Sequence, residues 1–174
     1  MDISLILLTF ATLYTIGWWR LRQRGRSKVA TRRRLVAYWS GILTLAIALM
    51  SPIDPLGGQL FFMHMLQHMI TIMVSAPLLW LGAPFPFLLW GLPTPVRRWV
   101  GRQFTQTSLV RSGLQMITQP AFVWMAFVAV YGGWHDPMLY ELALRHAWVH
   151  DIQHLTFFGT AMLFWWAVID AAPH

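Results

Sequence analysis

The sequence predicts an all-α protein, a polytopic transmembrane bundle of about five spans, on three observations. Of its 174 residues, 57% are hydrophobic and only 11% charged, where a soluble domain carries about a quarter charged residues. The apolar residues come in runs, and roughly 17–25 of them in a row cross the hydrocarbon core as a helix. Helix is the default for such runs because lipid offers no partner to an unpaired backbone amide. The chain is expected to form one integral membrane domain, 1–174, without a soluble domain or repeat.

The first run, 3–19, ends at Arg20 with Trp18 and Trp19 suited to the interfacial belt. Asp2 precedes it, without a basic leader or a small-residue cleavage site, so a retained span is expected. The loop 20–34 follows, rich in arginine and free of acid. Such a loop is retained in the cytoplasm, which places the N-terminus outside. The second run, 35–50, goes outward and is broken by Ser51-Pro52-Ile53-Asp54-Pro55-Leu56-Gly57-Gly58. The third, 59–81, returns inward, with Pro77 expected to kink it. The stretch 82–95 carries Pro84, Pro86, Pro93 and Pro95 and reads as a short interfacial or re-entrant segment. The stretch 96–119 holds Arg97, Arg98, Arg102 and Arg111 without an acid. It reads as a second cytoplasmic loop, with Val96, Trp99, Val100 and Phe104 on an amphipathic surface helix. The fourth run, 120–134, leads out, 138–145 makes a short outer connection, and the fifth, 147–169, leads in. That leaves a C-terminal stub, 170–174, in the cytoplasm.

The net charge of +7 is therefore a topology signal flanking apolar runs, with lipid as its partner and no role for nucleic acid. Cysteine is absent, which excludes disulfides, thiolate metal sites and a cysteine nucleophile. No glycine-rich phosphate loop occurs. His64 and His68 enclose Met-Leu-Gln, with no glutamate to serve as the base of a zincin helix. Nothing here sets up an enzyme.

The topology gathers the histidines. His64 and His68 lie at the outer end of the third run, His135 at the outer end of the fourth, and His146, His150 and His154 at the outer start of the fifth. His174 alone falls on the other side. His64 and His68 are i, i+4, and 146, 150 and 154 make two more such steps, so each set shares a helix face. Polar side chains at membrane depth turn toward a bundle interior. Asp151 and Gln153 lie beside the second stripe and Asp54 and Asp136 in the outer loops, and carboxylates there are placed to orient imidazoles through their second nitrogen. Met50, Met63, Met65, Met69, Met73 and Met138 cluster in the same region. Thioether with imidazole suits Cu(I), and imidazole alone suits Cu(II), zinc or haem iron. One histidine from each of two spans also suits the axial positions of b-type haem. A third alternative is a structural subunit of a respiratory or photosynthetic complex, its histidines merely hydrogen-bonded.

Three stretches resemble the CtaG family of cytochrome c oxidase assembly factors. They are His64-Met65-Leu66-Gln67-His68-Met69 with Ala76-Pro77-Leu78-Leu79 and Leu81-Gly82-Ala83-Pro84; Trp134-His135-Asp136-Pro137-Met138-Leu139-Tyr140; and His150-Asp151-Ile152-Gln153-His154-Leu155 with Phe164-Trp165-Trp166. The resemblance covers roughly 51–169. It implies a protein of the bacterial plasma membrane that helps build haem-copper oxidase, with an oxidase subunit as partner, by supplying copper to its copper centre. The motif histidines are His64, His68, His135, His150 and His154; His146 lies outside the motif and rests on spacing alone. Family members are usually longer, with additional spans, so a short version is also compatible with a fixed subunit of a larger complex.

Overall fold

Relative to a soluble domain this bundle is turned partly inside out: polar side chains are buried beside its apolar cores, and large apolar ones cover its outside. His64, Gln67, His68, Thr71, Ser75 and Gln153 are buried, while Leu5, Leu8, Val36, Leu43 and Leu155 are exposed. That inversion is what a helical bundle in lipid shows. The computed structural model describes residues 3–57, 59–103 and 109–170. His174 and the rest of the expected stub beyond Asp170 lie outside them, as do Asp2 and Phe104.

The described residues form helices and connecting turns. Helix α1 is Ile3–Gln23. Helix α2, Arg32–Met50, starts where the Thr31 side chain accepts from the Arg34 amide. A short α3, Ile53–Gly57, precedes a rod, Phe61–Leu81, built of α4 (Phe61–Met69), a π-helical turn (Ile70–Ser75) and α5 (Ala76–Leu81). Then come α6 (Pro84–Gly91), α7 (Thr94–Gln103), α8 (Leu109–Ile117), α9 (Pro120–Trp134), α10 (Pro137–Arg145) and α11 (Ala147–Asp170).

Among the described residues four helices are long and apolar enough to cross a membrane: Ile3–Gln23, Arg32–Met50, Phe61–Leu81 and Ala147–Ile169. The run expected as a further span is the 15-residue apolar helix α9. At 1.5 Å per residue it measures roughly 22 Å, short of the roughly 30 Å of a hydrocarbon core. The stretch 82–95 contains α6, with Pro84, Phe87 and Gly91 buried, and α6 packs on α1. The expected amphipathic stretch 96–119 is divided between α7 and α8.

Two cores hold the bundle. In the first, Leu7, Ala11 and Tyr14 of α1 meet Tyr38, Ile42 and Leu45 of α2, Leu79 of α5 and Phe87 of α6. The Tyr14 and Tyr38 rings stack at 3.7 Å, and the Tyr14 hydroxyl donates to the Gly82 carbonyl at 2.6 Å. Glycine sets the spacing of α1 and α6. A Cβ added at Gly17 would collide with the Phe87 carbonyl, and one at Gly91 with the Leu13 carbonyl. In the second core, Ile72 and Ala76 of the rod meet Phe157 and Ala161 of α11.

Pro77 shapes the rod through a π turn rather than a simple kink. Within that turn the Ala76 amide donates to Thr71 O, five residues back. The next bond of the series would run from residue 77 to Ile72 O, and proline has no N–H to make it. The Trp165 indole N–H donates to that carbonyl from α11, at 2.8 Å. A backbone acceptor deprived of its helical donor is thus satisfied across the bundle, as lipid-embedded structure requires. Trp165→Phe removes the donor and keeps an aromatic ring. We expect it to cost about 1–2 kcal/mol, read as a lower unfolding midpoint of the protein in detergent, whereas Trp148→Phe at an exposed site should leave the midpoint in place.

Candidate functional site

The buried polar residues of the rod do not scatter; they end in two pairs of imidazoles facing each other across α4 and α11. On α4, His64 and His68 are one turn apart, and their Nε2 atoms approach to 2.8 Å. On α11, His150 and His154 repeat the arrangement at 3.2 Å. Across the helix pair the His64 and His150 ring centroids lie 5.6 Å apart, and those of His68 and His154 5.1 Å. His64 is fully buried and His68 is 5% exposed. Helical spacing explains each pair, since i and i+4 lie one above the other. The match in height comes from the second core, directly beneath, where Ile72 and Ala76 meet Phe157 and Ala161.

Neighbouring groups fix the rod in place. The Gln67 amide nitrogen donates to Ala48 O of α2 at 2.9 Å, and Ser75 donates to the Thr44 hydroxyl at 2.9 Å. These contacts tie the rod to α2 beside the face that carries the histidines. They put the cluster at the end of α2 remote from its arginine-rich start, since Arg32 to Ala48 spans roughly 24 Å of helix.

The stretch Trp134-His135-Asp136-Pro137 acts as a connector. The Trp134 indole donates to the Thr156 hydroxyl of α11 at 2.9 Å. Asp136 caps α10, its carboxylate accepting from the Met138 and Leu139 amides; with Pro137 in the first turn this is a strong helix start. α10 then brings Tyr140 edge-on to His64, with centroids 5.3 Å apart. His135 stands outside the four rings, exposed, 6.4 Å from the Phe157 ring that itself lies 4.6 Å from His68. The His135 Nδ1–H donates to Tyr131 O at 2.6 Å. A carbonyl can only accept, so in the neutral ring Nε2 carries the lone pair.

Several expected neighbours are elsewhere. His146 is exposed, with its ring 6.4 Å from the Trp148 ring, and makes none of the ring contacts that join the four histidines. Asp136 is engaged as a cap, and Asp151 is exposed, so neither orients an imidazole; the Asp54 side chain lies outside the described residues. Met50, Met69, Met73 and Met138 are exposed. The sequence reading passed over Tyr140 and Phe157 as site residues. Phe157 carried a signal, being three residues beyond His154 and hence on the same face. Tyr140 carried one only as the last residue of the second family-like stretch, and only the cap at Asp136 fixes where α10 points.

The donor set is four imidazoles with no thiolate and no carboxylate. Among the described residues no group of three His, Asp or Glu side chains is arranged to close on a metal ion. Two imidazoles on one tetrahedral ion, at about 2.0 Å each, put their nitrogens roughly 3.3 Å apart. The α11 pair is at 3.2 Å, near that value. The α4 pair is drawn in to 2.8 Å by its own hydrogen bond. A rotation of one ring opens it. His64 Nδ1 and His154 Nδ1 are buried without a hydrogen-bond partner, which is costly for groups that serve packing alone.

Residues 12–174 match the family model for the cytochrome c oxidase caa3 assembly factor. The chain is similar to uncharacterized proteins of Mycobacterium bovis and Mycobacterium tuberculosis, each 31% identical over 163 residues. It is also similar to one of Mycobacterium leprae, 28% identical over 170 residues. In each case 92% of the chain is aligned, and it spans 24% of the relative's length. No solved structure matches. With the family model covering nearly the whole chain, this protein belongs to the cytochrome c oxidase caa3 assembly factor family.

Proposed function

We propose that the protein carries copper, as cargo, to a haem-copper oxidase during assembly, and holds it at His64, His68, His150 and His154. One observation carries this reading: two i, i+4 imidazole pairs on different helices, one buried and one half-buried, meet ring to ring. Neutral imidazole is a good donor to copper, and a site without thiolate releases its ion more readily by ligand exchange. His135, exposed beside the cluster with its Nε2 lone pair outside the Tyr131 hydrogen bond, is suited to receive the ion first. The role is one of binding and transfer, not catalysis. The arginine-rich end of the bundle faces the cytoplasm by the positive-inside rule, so the histidine cluster opens near the outer face of a bacterial plasma membrane. The oxidase subunit that accepts the ion is the partner, and α9 is a further span over which the bilayer thins locally.

Haem b is the competing occupant. Axial ligation from two helices needs a flat macrocycle between them. Here the facing rings are already in contact, at 5.1 and 5.6 Å between centroids, so a haem would have to part α4 from α11. Copper fits between rings that need only rotate. A fixed structural subunit would need neither occupant.

The test is metal uptake by the purified, chelator-stripped protein. We expect one copper per chain by elemental analysis after anaerobic loading with Cu(I), and no sharp alpha band in the reduced-minus-oxidised spectrum of freshly purified protein. Failure to retain copper would sink the proposal, and a stoichiometric alpha band would replace it with a cytochrome.

A further inference from the structure

The opposite end of the bundle holds a second polar feature, unconnected with the histidines. A cavity of about 390 Å³ opens there between the end of α1, the end of α6 and the start of α7, lined by Arg20, Gln23, Arg24, Trp90, Thr94 and Arg97. Among the described residues none of its three guanidiniums is paired with a carboxylate. The sequence places no acid between Asp2 and Asp54 or between Asp54 and Asp136, and among the described residues the ion pair is Arg145 with Glu141, on α10.

Each arginine is positioned by a different contact. One terminal nitrogen of Arg20, Nη1, caps the C-terminal carbonyls of α6, donating toward Trp90 O, Gly91 O and Leu92 O at 3.0, 3.2 and 3.3 Å. Three of its five N–H donors lie outside that cap. Arg24 lies over the Trp90 ring at 4.8 Å, and Arg97 lies over the same ring at 4.3 Å. One indole thus brings together two like charges, from α1 and α7, that would otherwise repel. The arrangement holds flat, fork-shaped donors around an open space. That is the geometry in which arginine recognises phosphate oxygens bidentately.

We infer that this cavity binds a phosphate group, presented by the headgroup of an anionic phospholipid at the basic end of the bundle. Trp90 organises the site and Arg20, Arg24 and Arg97 supply the hydrogen bonds, with Gln23 and Thr94 as neutral polar partners. The cavity joins α1, α6 and α7, so an occupant also ties α7 to the bundle.

The probe is short-chain phosphatidylglycerol, titrated into the full chain in a neutral detergent and read by native mass spectrometry. Wild-type protein should hold one phosphatidylglycerol at least about tenfold more tightly than the matched phosphatidylcholine. R24Q/R97Q should abolish that preference, and R97Q alone, which leaves α1 untouched, should reduce it several-fold. R32Q/R33Q, at arginines outside the cavity, should leave it unchanged. Inorganic phosphate is the second arm. Displacement of the lipid by millimolar phosphate assigns the site to the phosphate group itself, and no displacement assigns it to the whole headgroup. Equal losses from R24Q/R97Q and R32Q/R33Q would overturn the inference, because diffuse charge would then suffice. So would full retention of the preference in R24Q/R97Q.

Discussion

Alanine at both 68 and 154 should lower the affinity for copper by more than about a hundredfold, exceeding what loss of a supporting partner of a metal ligand costs. The two residues face each other at 5.1 Å, so the double variant removes half of the donor set from one level. His64 and His150 remain, 5.6 Å apart between centroids, as a pair that can hold the ion only in two-coordinate fashion. The measurement is equilibrium competition against a Cu(I) chelator of known affinity. His146→Ala serves as the control, being exposed and outside the ring contacts that join the four histidines. His135→Ala should slow copper uptake and leave the equilibrium affinity within a few-fold, because His135 is beside the cluster and not in it. Unchanged affinity in the 68/154 variant would remove the cluster from consideration as the copper site, whatever the metal content of wild-type protein. The oxidase readout is separate: cells carrying the variant should assemble oxidase deficient in copper.

The second large effect concerns stability. Gly17→Ala and Gly91→Ala should each destabilise the protein by about 3 kcal/mol or more, at or above the upper end for overpacked cores. In both, the new methyl lands on a backbone carbonyl of the facing helix, and a carbonyl cannot rotate out of the way as a side chain does. α1 and α6 must separate, which also loosens Phe87 from Tyr14, whose rings lie 5.0 Å apart. Small residues where two membrane helices touch work in this way generally. The double variant should cost far less than the sum of the singles, because one separation of the helices relieves both collisions. Unfolding of the three variants in detergent, closed as a double-mutant cycle, measures this. Gly159→Ala, with open space around the added methyl, should leave stability nearly unchanged. Independent, additive losses would mean that the two glycines do not report on a single helix contact.

What the sequence made legible followed from periodicity and run length. The four long apolar helices, the two imidazole pairs and their inward orientation could all be read from i, i+4 spacing and from the cost of polar groups in lipid. The facing of His64 with His150 and of His68 with His154 could be expected but not fixed, since helix pairing at matched height depends on packing beneath, at Ile72, Ala76, Phe157 and Ala161. Other features had no local signature. Asp136 looked like a carboxylate available to an imidazole, and its use as a helix cap follows from Pro137 and the two amides beyond it. The close approach at Gly17 and Gly91 is invisible because glycine in an apolar helix marks contact, exposure or neither. Pro77 was visible as an irregularity, but the remedy came from Trp165, 88 positions further along the chain.

The widened turn before Pro77 also governs phasing. In a regular α-helix a row of residues four apart drifts roughly 40° around the axis at each step. His64, His68, Ile72 and Ala76 make three such steps, yet all of them keep to the side facing α11: the first two through His150 and His154, the last two through Phe157 and Ala161. The surplus residue in the loop of backbone at Ile70–Ser75 winds the row back into line. Alignment of the imidazoles with their counterparts is therefore a matter of residue count. That segment can exchange one apolar side chain for another, but losing or gaining a single position would turn the upper half of the rod away from its neighbour like a gear slipped by one tooth.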